Sequence, residues 1–189
     1  MLSVKLKEET KVDHQLQEKK MIAQMKTIRT KKDYLELLYL FYSFFGGLEV
    51  SIDDHADLSF LPDHEERRKS LALLNDIMEL DGTLPDLAIG KALPAIENRL
   101  QAIGALYVME DSTLGGKAIS KMISQQLNLP MNIALSFFEG YGSNNENMWN
   151  GFKRAIDKLD LNEADQAVVI QSANDTFLQF GNWFDLHAK

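Results

Sequence analysis

The stretch IENRLQAIGALYVMEDSTLGGKAISKMISQQL, residues 96–127, decides the fold class. Leu100, Ile103, Tyr107, Leu114 and Ile119 recur at mostly helical spacing and give one apolar stripe along a long helix. Pro94 sits near its start, where a missing N–H costs nothing. Gly115 and Gly116 interrupt the stripe. Each costs about 1 kcal/mol relative to alanine inside a helix, so the pair needs a physical reason. A kink, a tight helix–helix crossing, or a flat ligand lying against bare backbone would each supply one. The spacing alone leaves the crossing and the ligand equally open.

Outward from this helix the chain reads as further helices joined by short polar breaks. A first helix spans about Ser3 to Met25, with Ser3 as N-cap. Thr30, with Asp33 three residues on, opens a second that runs to about Ile52 with Leu35, Leu38, Tyr39 and Tyr42 on one face. DDHADLSFLPDHEE, 53–66, reads as a loop. A third helix covers about Glu65 to Leu80, and DGTLPD, 81–86, is a turn. A short segment from Met131 to Phe138 ends at Gly140, Gly142, Ser143 and Asn144, and two more helices follow near Glu146–Lys158 and Asn162–Leu186. No stretch sustains strand alternation. The expectation is an all-α fold in a single domain over residues 1–189.

Composition narrows the chemistry. The chain has 189 residues, 45% hydrophobic and 25% charged, which is globular rather than disordered composition. Four prolines and eleven glycines are too few for a turn-rich β domain. The absence of cysteine excludes a disulfide scaffold, a thiolate metal site and a cysteine nucleophile. A net charge of −8 argues against nucleic acid as partner. The amino-terminal MLSVKLKEETKVDH carries charge from Lys5 onward and no apolar signal region. The most apolar run, LLYLFYSFF at 37–45, is far short of the ~20 residues that span a bilayer, so it reads as a buried core helix, and the expected location is the cytoplasm with no membrane partner.

One polar face could carry chemistry. Lys7, Lys11, His14 and Glu18 lie at i, i+4, i+7 and i+11 on the first helix. They form either a solvated charged face or the setting of a single metal-ligating imidazole. In the second case Glu18 would hydrogen-bond the other ring nitrogen, and the lysines would meet anionic groups of the same ligand. Lys153 and Arg154 read as surface charge unless a dianionic ligand is present. His55 and His64 sit in acidic loops and read as solvated, and His187 is expected to fray. No phosphate-loop, dinucleotide-binding, zincin or nucleophile-elbow motif occurs.

Three segments together resemble a known family. LKEETKVDHQLQE, 6–18, resembles the segment carrying the proximal histidine of heme oxygenases. ALYVMEDSTLGGKAI, 105–119, resembles the distal helix of the bacterial, biliverdin-forming branch, and FFEGYGSNNENMWNGF, 137–152, a Gly-Tyr-Gly and Met-Trp segment of the same branch, often found with bacterial phytochromes. The resemblance implies heme sandwiched between the first helix and a kinked distal helix. It implies His14 as iron ligand with Glu18 as its hydrogen-bond partner. Lys7, Lys11 and Arg154 would hold the propionates, assisted by Lys153, with Tyr107 near one of them. Gly115 and Gly116 would form the bend over the iron, and Asp111, Ser112 and Gly115 would supply the distal donors. The implied reaction opens heme to biliverdin, carbon monoxide and ferrous iron. It uses O2 and electrons from a donor such as ferredoxin or a reductase, and a bacteriophytochrome would receive the biliverdin. One departure stands out: Asp111 occupies a position where the family usually has glycine.

Three rival readings follow from the same residues. Asp111 favours a heme-binding protein with little or no turnover. A thiaminase-like helical enzyme is disfavoured because that group commonly relies on a cysteine. A purely structural helical partner would bind no heme.

Overall fold

A computed structural model describes residues 1–131 and 133–188 of the chain. The helix expected over 96–127 forms as α5, Arg99–Leu127, and the rest of the molecule is arranged around it. Before it come α1 (Leu2–Glu9), α2 (Lys11–Met25), α3 (Lys31–His55) and α4 (Leu71–Glu79). After it come α6 (Ser136–Glu139), α7 (Asn145–Asp157) and α8 (Glu163–His187). No strand occurs among the described residues, so the fold is all-α. Along its length α5 packs against α8, and α3, α6 and α7 also rest on it.

Several boundaries differ from the sequence reading, each for a local reason. The first helix is divided at Thr10, whose hydroxyl donates back to the Leu6 carbonyl at 2.8 Å, a bond that competes with the helical ladder. Ser3 is not the N-cap. It is buried inside α1, and its N–H and hydroxyl donate to the Asp157 carboxylate at 2.8 and 2.6 Å, tying α1 to α7. Thr30 and Asp33 do form a full capping box, and the helix they open continues past Ile52 to His55. The third helix is shorter than the sequence suggests. Residues 64–66 make a single 3-10 turn, Arg67 is extended, and α4 begins only at Leu71. That extended stretch turns the Arg67 and Arg68 side chains under α5, where buried acceptors hold them. The start of α5 moves from Pro94 to Arg99 because the Asn98 side chain accepts from the Leu100 and Gln101 N–H groups. Of the 131–138 segment only α6 is helical, and Asn132 lies outside the described residues. His187 is not frayed. It closes α8 with Nδ1 2.8 Å from the Trp183 carbonyl and its ring 3.8 Å from the indole.

Phenylalanines from three helices make the main core. Phe41, Phe44 and Phe45 of α3 meet Phe137 and Phe138 of α6 and Phe180 of α8 in mostly edge-to-face contacts. By length and apolarity α3 could cross a bilayer, but most of that apolar window is buried inside the protein.

The paired glycines of α5 answer to different demands. The helix continues through both. At Gly116 an added Cβ would fall on the Phe138 carbonyl, so α6 crosses there backbone to backbone. At Gly115 a Cβ would meet nothing within 4 Å. The tight-crossing reading therefore holds for Gly116, and Gly115 presents bare backbone to open space. Gly116→Ala should lower the unfolding free energy by about 1–3 kcal/mol. Gly115→Ala should leave it unchanged or raise it by up to about 1 kcal/mol. Urea denaturation of the two variants checks this, and equal effects would contradict it.

Candidate functional site

Helices α2, α3, α5, α6 and α8 enclose a cavity of about 410 Å³. Its walls are largely apolar and include Phe41 and Phe45 from α3, Phe137 and Phe138 from α6, and Phe177 and Phe180 from α8. Its polar residues are His14, Gln17 and Glu18 on α2, facing Asp111 and Ser112 on α5. Gly115 lines the same α5 wall.

The structure therefore brings His14, Glu18, Asp111, Ser112 and Gly115 of the sequence-selected set together around one cavity. His14 Nε2 is in contact with an Asp111 carboxylate oxygen at 3.3 Å in the cavity lining, and the imidazole is tilted against the Phe177 ring at 5.4 Å. Asp111 is largely buried, at 15% side-chain exposure. Burial pushes its carboxyl above the ordinary range, opposed by His14, Lys7 and Lys153 and reinforced by Glu18. Lys7 and Lys153 therefore stand close enough to bear on the site. Lys153 also sits over the Trp149 ring at 5.5 Å. Glu18 is exposed at the rim, and among the described residues no hydrogen bond joins it to His14.

Other members of the set lie apart. Lys11 is exposed on α2 and does not line the cavity. Arg154 lines a separate depression with Phe60, Arg99 and Lys158. Tyr107 is packed 5.3 Å from Trp149, and burial raises its hydroxyl to about 12. His55 and His64 stand outside the cavity. His64 pairs with Glu65 at 2.8 Å, and no cluster of three metal-ligating side chains occurs among the described residues.

Behind the cavity wall, on the other side of α5, lies a buried polar cluster that the sequence did not reveal. Arg67 donates to Glu110 at 2.5 Å and to both carboxylate oxygens of Asp63. The Tyr141 hydroxyl donates to Glu110 at 2.9 Å and accepts from the Arg68 N–H. The Arg68 guanidinium donates to the carbonyls of Met109 and Phe137 and to the Ser112 hydroxyl, the last at 2.6 Å. Burial draws Arg68 down to about 10 despite Glu110, Tyr141 and Glu49. Ser112 donates in turn to the Met109 carbonyl at 2.6 Å. Ser112 is thus braced from behind by the half-buried Arg68 guanidinium.

Three further cavity residues, Phe177, Phe180 and Gln17, had weak sequence signals or none. Phe177 and Phe180 are three apart on one helical face, a pattern that core packing alone would also produce. Gln17 is buried against Gly181, where an added Cβ would strike its amide.

Comparison with known proteins agrees with this architecture. The family model for heme oxygenase matches residues 1–186. The heme oxygenase from Leptospira interrogans superposes with a TM-score of 0.78 at 22% identity, covering 98% of this chain and 98% of that one. Heme oxygenase-1 from the cyanobacterium Synechocystis, solved in complex with heme, superposes with a TM-score of 0.75 at 20% identity, covering 98% of this chain and 91% of that one. At such identities the two structures share the fold. A search of curated protein sequences gave no significant match.

The Arg67–Glu110 pair is buried on both sides, so removing one partner strands the other charge. Arg67→Met should cost about 3–5 kcal/mol of stability at neutral pH. Urea denaturation checks it, and a loss under about 1 kcal/mol would show that the cluster relaxes or admits water.

Proposed function

The chain belongs to the heme oxygenase family, and from that premise we propose that it binds heme in the cavity between α2 and α5 and cleaves it. His14 would ligate the iron, and the products would be biliverdin, carbon monoxide and ferrous iron, formed with O2 and externally supplied electrons. The observation that carries this reading is the direction of His14. Its Nε2 points at α5, touching Asp111, in the lining of a cavity that also includes phenylalanine side chains and the bare backbone of Gly115.

The residues present fit such a ligand. Flat phenylalanine walls suit a macrocycle held by dispersion and area burial. A single imidazole among the lining side chains suits one iron ligand. The open space at Gly115 is room that any side chain would fill. When bound, heme supplies both the iron that activates oxygen and the ring that is oxidised.

The chain's own residues then divide the work. His14 anchors and orients the iron from the α2 side, and Glu18, one turn on at the rim, would steady the imidazole through its other nitrogen. Lys7, Lys11 and Lys153 would meet the propionates at the open edge, with Tyr107 packed behind them. Arg154 joins them only by leaving the depression it lines. The aromatic walls exclude water. Ser112 already donates to Met109 and accepts from Arg68, so its part is to hold the α5 wall in place. Asp111 is the acid or base left to move a proton at the distal face, through water, with the Gly115 backbone beside it. The single-domain chain would work in the cytoplasm with a ferredoxin or reductase as electron donor. Biliverdin would pass to an acceptor such as a bacteriophytochrome.

Heme titration followed by optical spectra tests the binding step. Wild type should take up one equivalent with a histidine-ligated spectrum, and His14→Ala should lose that spectrum while remaining folded. Adding reductant and O2 to the loaded wild type should then bleach the heme band as biliverdin absorption rises. Heme that survives this treatment would contradict turnover and leave a heme-binding protein, the alternative favoured by the Asp111 contact with His14.

A further inference from the structure

We propose that the Asp111 carboxylate is the second axial ligand of ferric heme in this protein, directly opposite His14; this rests on the heme-binding reading above. Asp111 lies on α5 with its side chain turned into the cavity, and its carboxylate stands 3.3 Å from His14 Nε2. The described residues offer that carboxylate no hydrogen bond apart from this contact. With His14 Nε2 bonded to iron this contact is lost, and a largely buried carboxylate left without a donor is costly and favours a cation.

The neighbouring acid shows the contrast. Glu110, one residue earlier, faces the other way and receives Arg67 and the Tyr141 hydroxyl. Lys7 and Lys153 act on Asp111 only through the Coulomb field. Ferric iron in a porphyrin carries one net positive charge and prefers a hard oxygen donor.

The spacing also fits. Metal–imidazole and metal–carboxylate bonds are each about 2 Å, so two ligands on opposite sides of one iron stand about 4 Å apart. The observed gap is 3.3 Å, so α2 and α5 need to part by less than about 1 Å at these two atoms for both to reach the iron. The glycine usual in this family at the position of Asp111 has no side chain to make such a bond.

The test uses ferric heme-loaded wild type, Asp111→Asn and Asp111→Gly, titrated with nitric oxide and followed in the visible spectrum. Nitric oxide is small and neutral, so charge repulsion and crowding affect it little. Asp111→Asn keeps the volume and removes the anion. If the carboxylate occupies the sixth position, nitric oxide must displace it. Both variants should then bind the probe at least ten-fold more tightly than wild type, and the wild-type spectrum before addition should be six-coordinate. Equal affinities within two-fold in all three proteins would overturn the assignment. A gain in Asp111→Gly that Asp111→Asn does not share would also overturn it, by tracing the effect to bulk. If wild type takes up no heme, both this inference and the heme-binding reading fail at the first spectrum. Heme uptake followed by unchanged nitric oxide affinity removes the inference alone.

Discussion

Helix α5 is fastened to its neighbours backbone to backbone at two places, and the open site exists because the stretch between them is left uncovered. Near its start Gly104 lies so close to α8 that a Cβ would strike the Val169 carbonyl. Farther on, Gly116 makes the same kind of approach to Phe138 of α6. Glycine permits both because it has no side chain to hold the partner away. With both crossings set, α6 and α8 cannot move outward to accommodate or inward to fill the space between them. The face carrying Asp111, Ser112 and Gly115 is left turned toward α2, which it meets at the His14–Asp111 contact, and the cavity lies beside that contact.

Electrostatics divides that same helix into two sides. Glu110 and Asp111 are adjacent, so their side chains leave the helix about 100° apart. The first enters a cluster with Arg67 and Tyr141 and is fully compensated. The second enters an aromatic cavity and meets one imidazole. Two neighbouring carboxylates thus acquire different roles. Glu110 binds the 63–68 segment to α5, and Asp111 meets His14 in the cavity lining. Arg68 links the two sides, since it touches Ser112 in front and takes its field from Glu110 behind.

Much of this was legible in the sequence, and the rest was hidden for identifiable reasons. Helical periodicity gave α5, α7 and α8 within a few residues, because each buries a wide apolar stripe. The Thr30–Asp33 box was legible since capping is local chemistry. His14, Glu18, Asp111, Ser112 and Gly115 were singled out and do line one cavity. The break at Thr10 was invisible, as a threonine that bonds back to the preceding turn looks like any helical residue. The arginine pair at 67 and 68 was also unreadable. In HEERRKS nothing distinguishes a solvated helix face from an extended segment, and the deciding partners, Glu110 and Tyr141, are remote in sequence. Pairing of His14 with Asp111 joins residues far apart in the chain, so only the fold reveals it.

The most direct measurement of the central claim is a structure of the chain crystallised with ferric heme. The macrocycle should lie between α2 and α5, flanked by Phe177 and Phe180, with the iron bonded to His14 Nε2 and the Asp111 carboxylate on its opposite face. Heme bound elsewhere on the surface, or His14 still paired with Asp111 in the presence of heme, would contradict it.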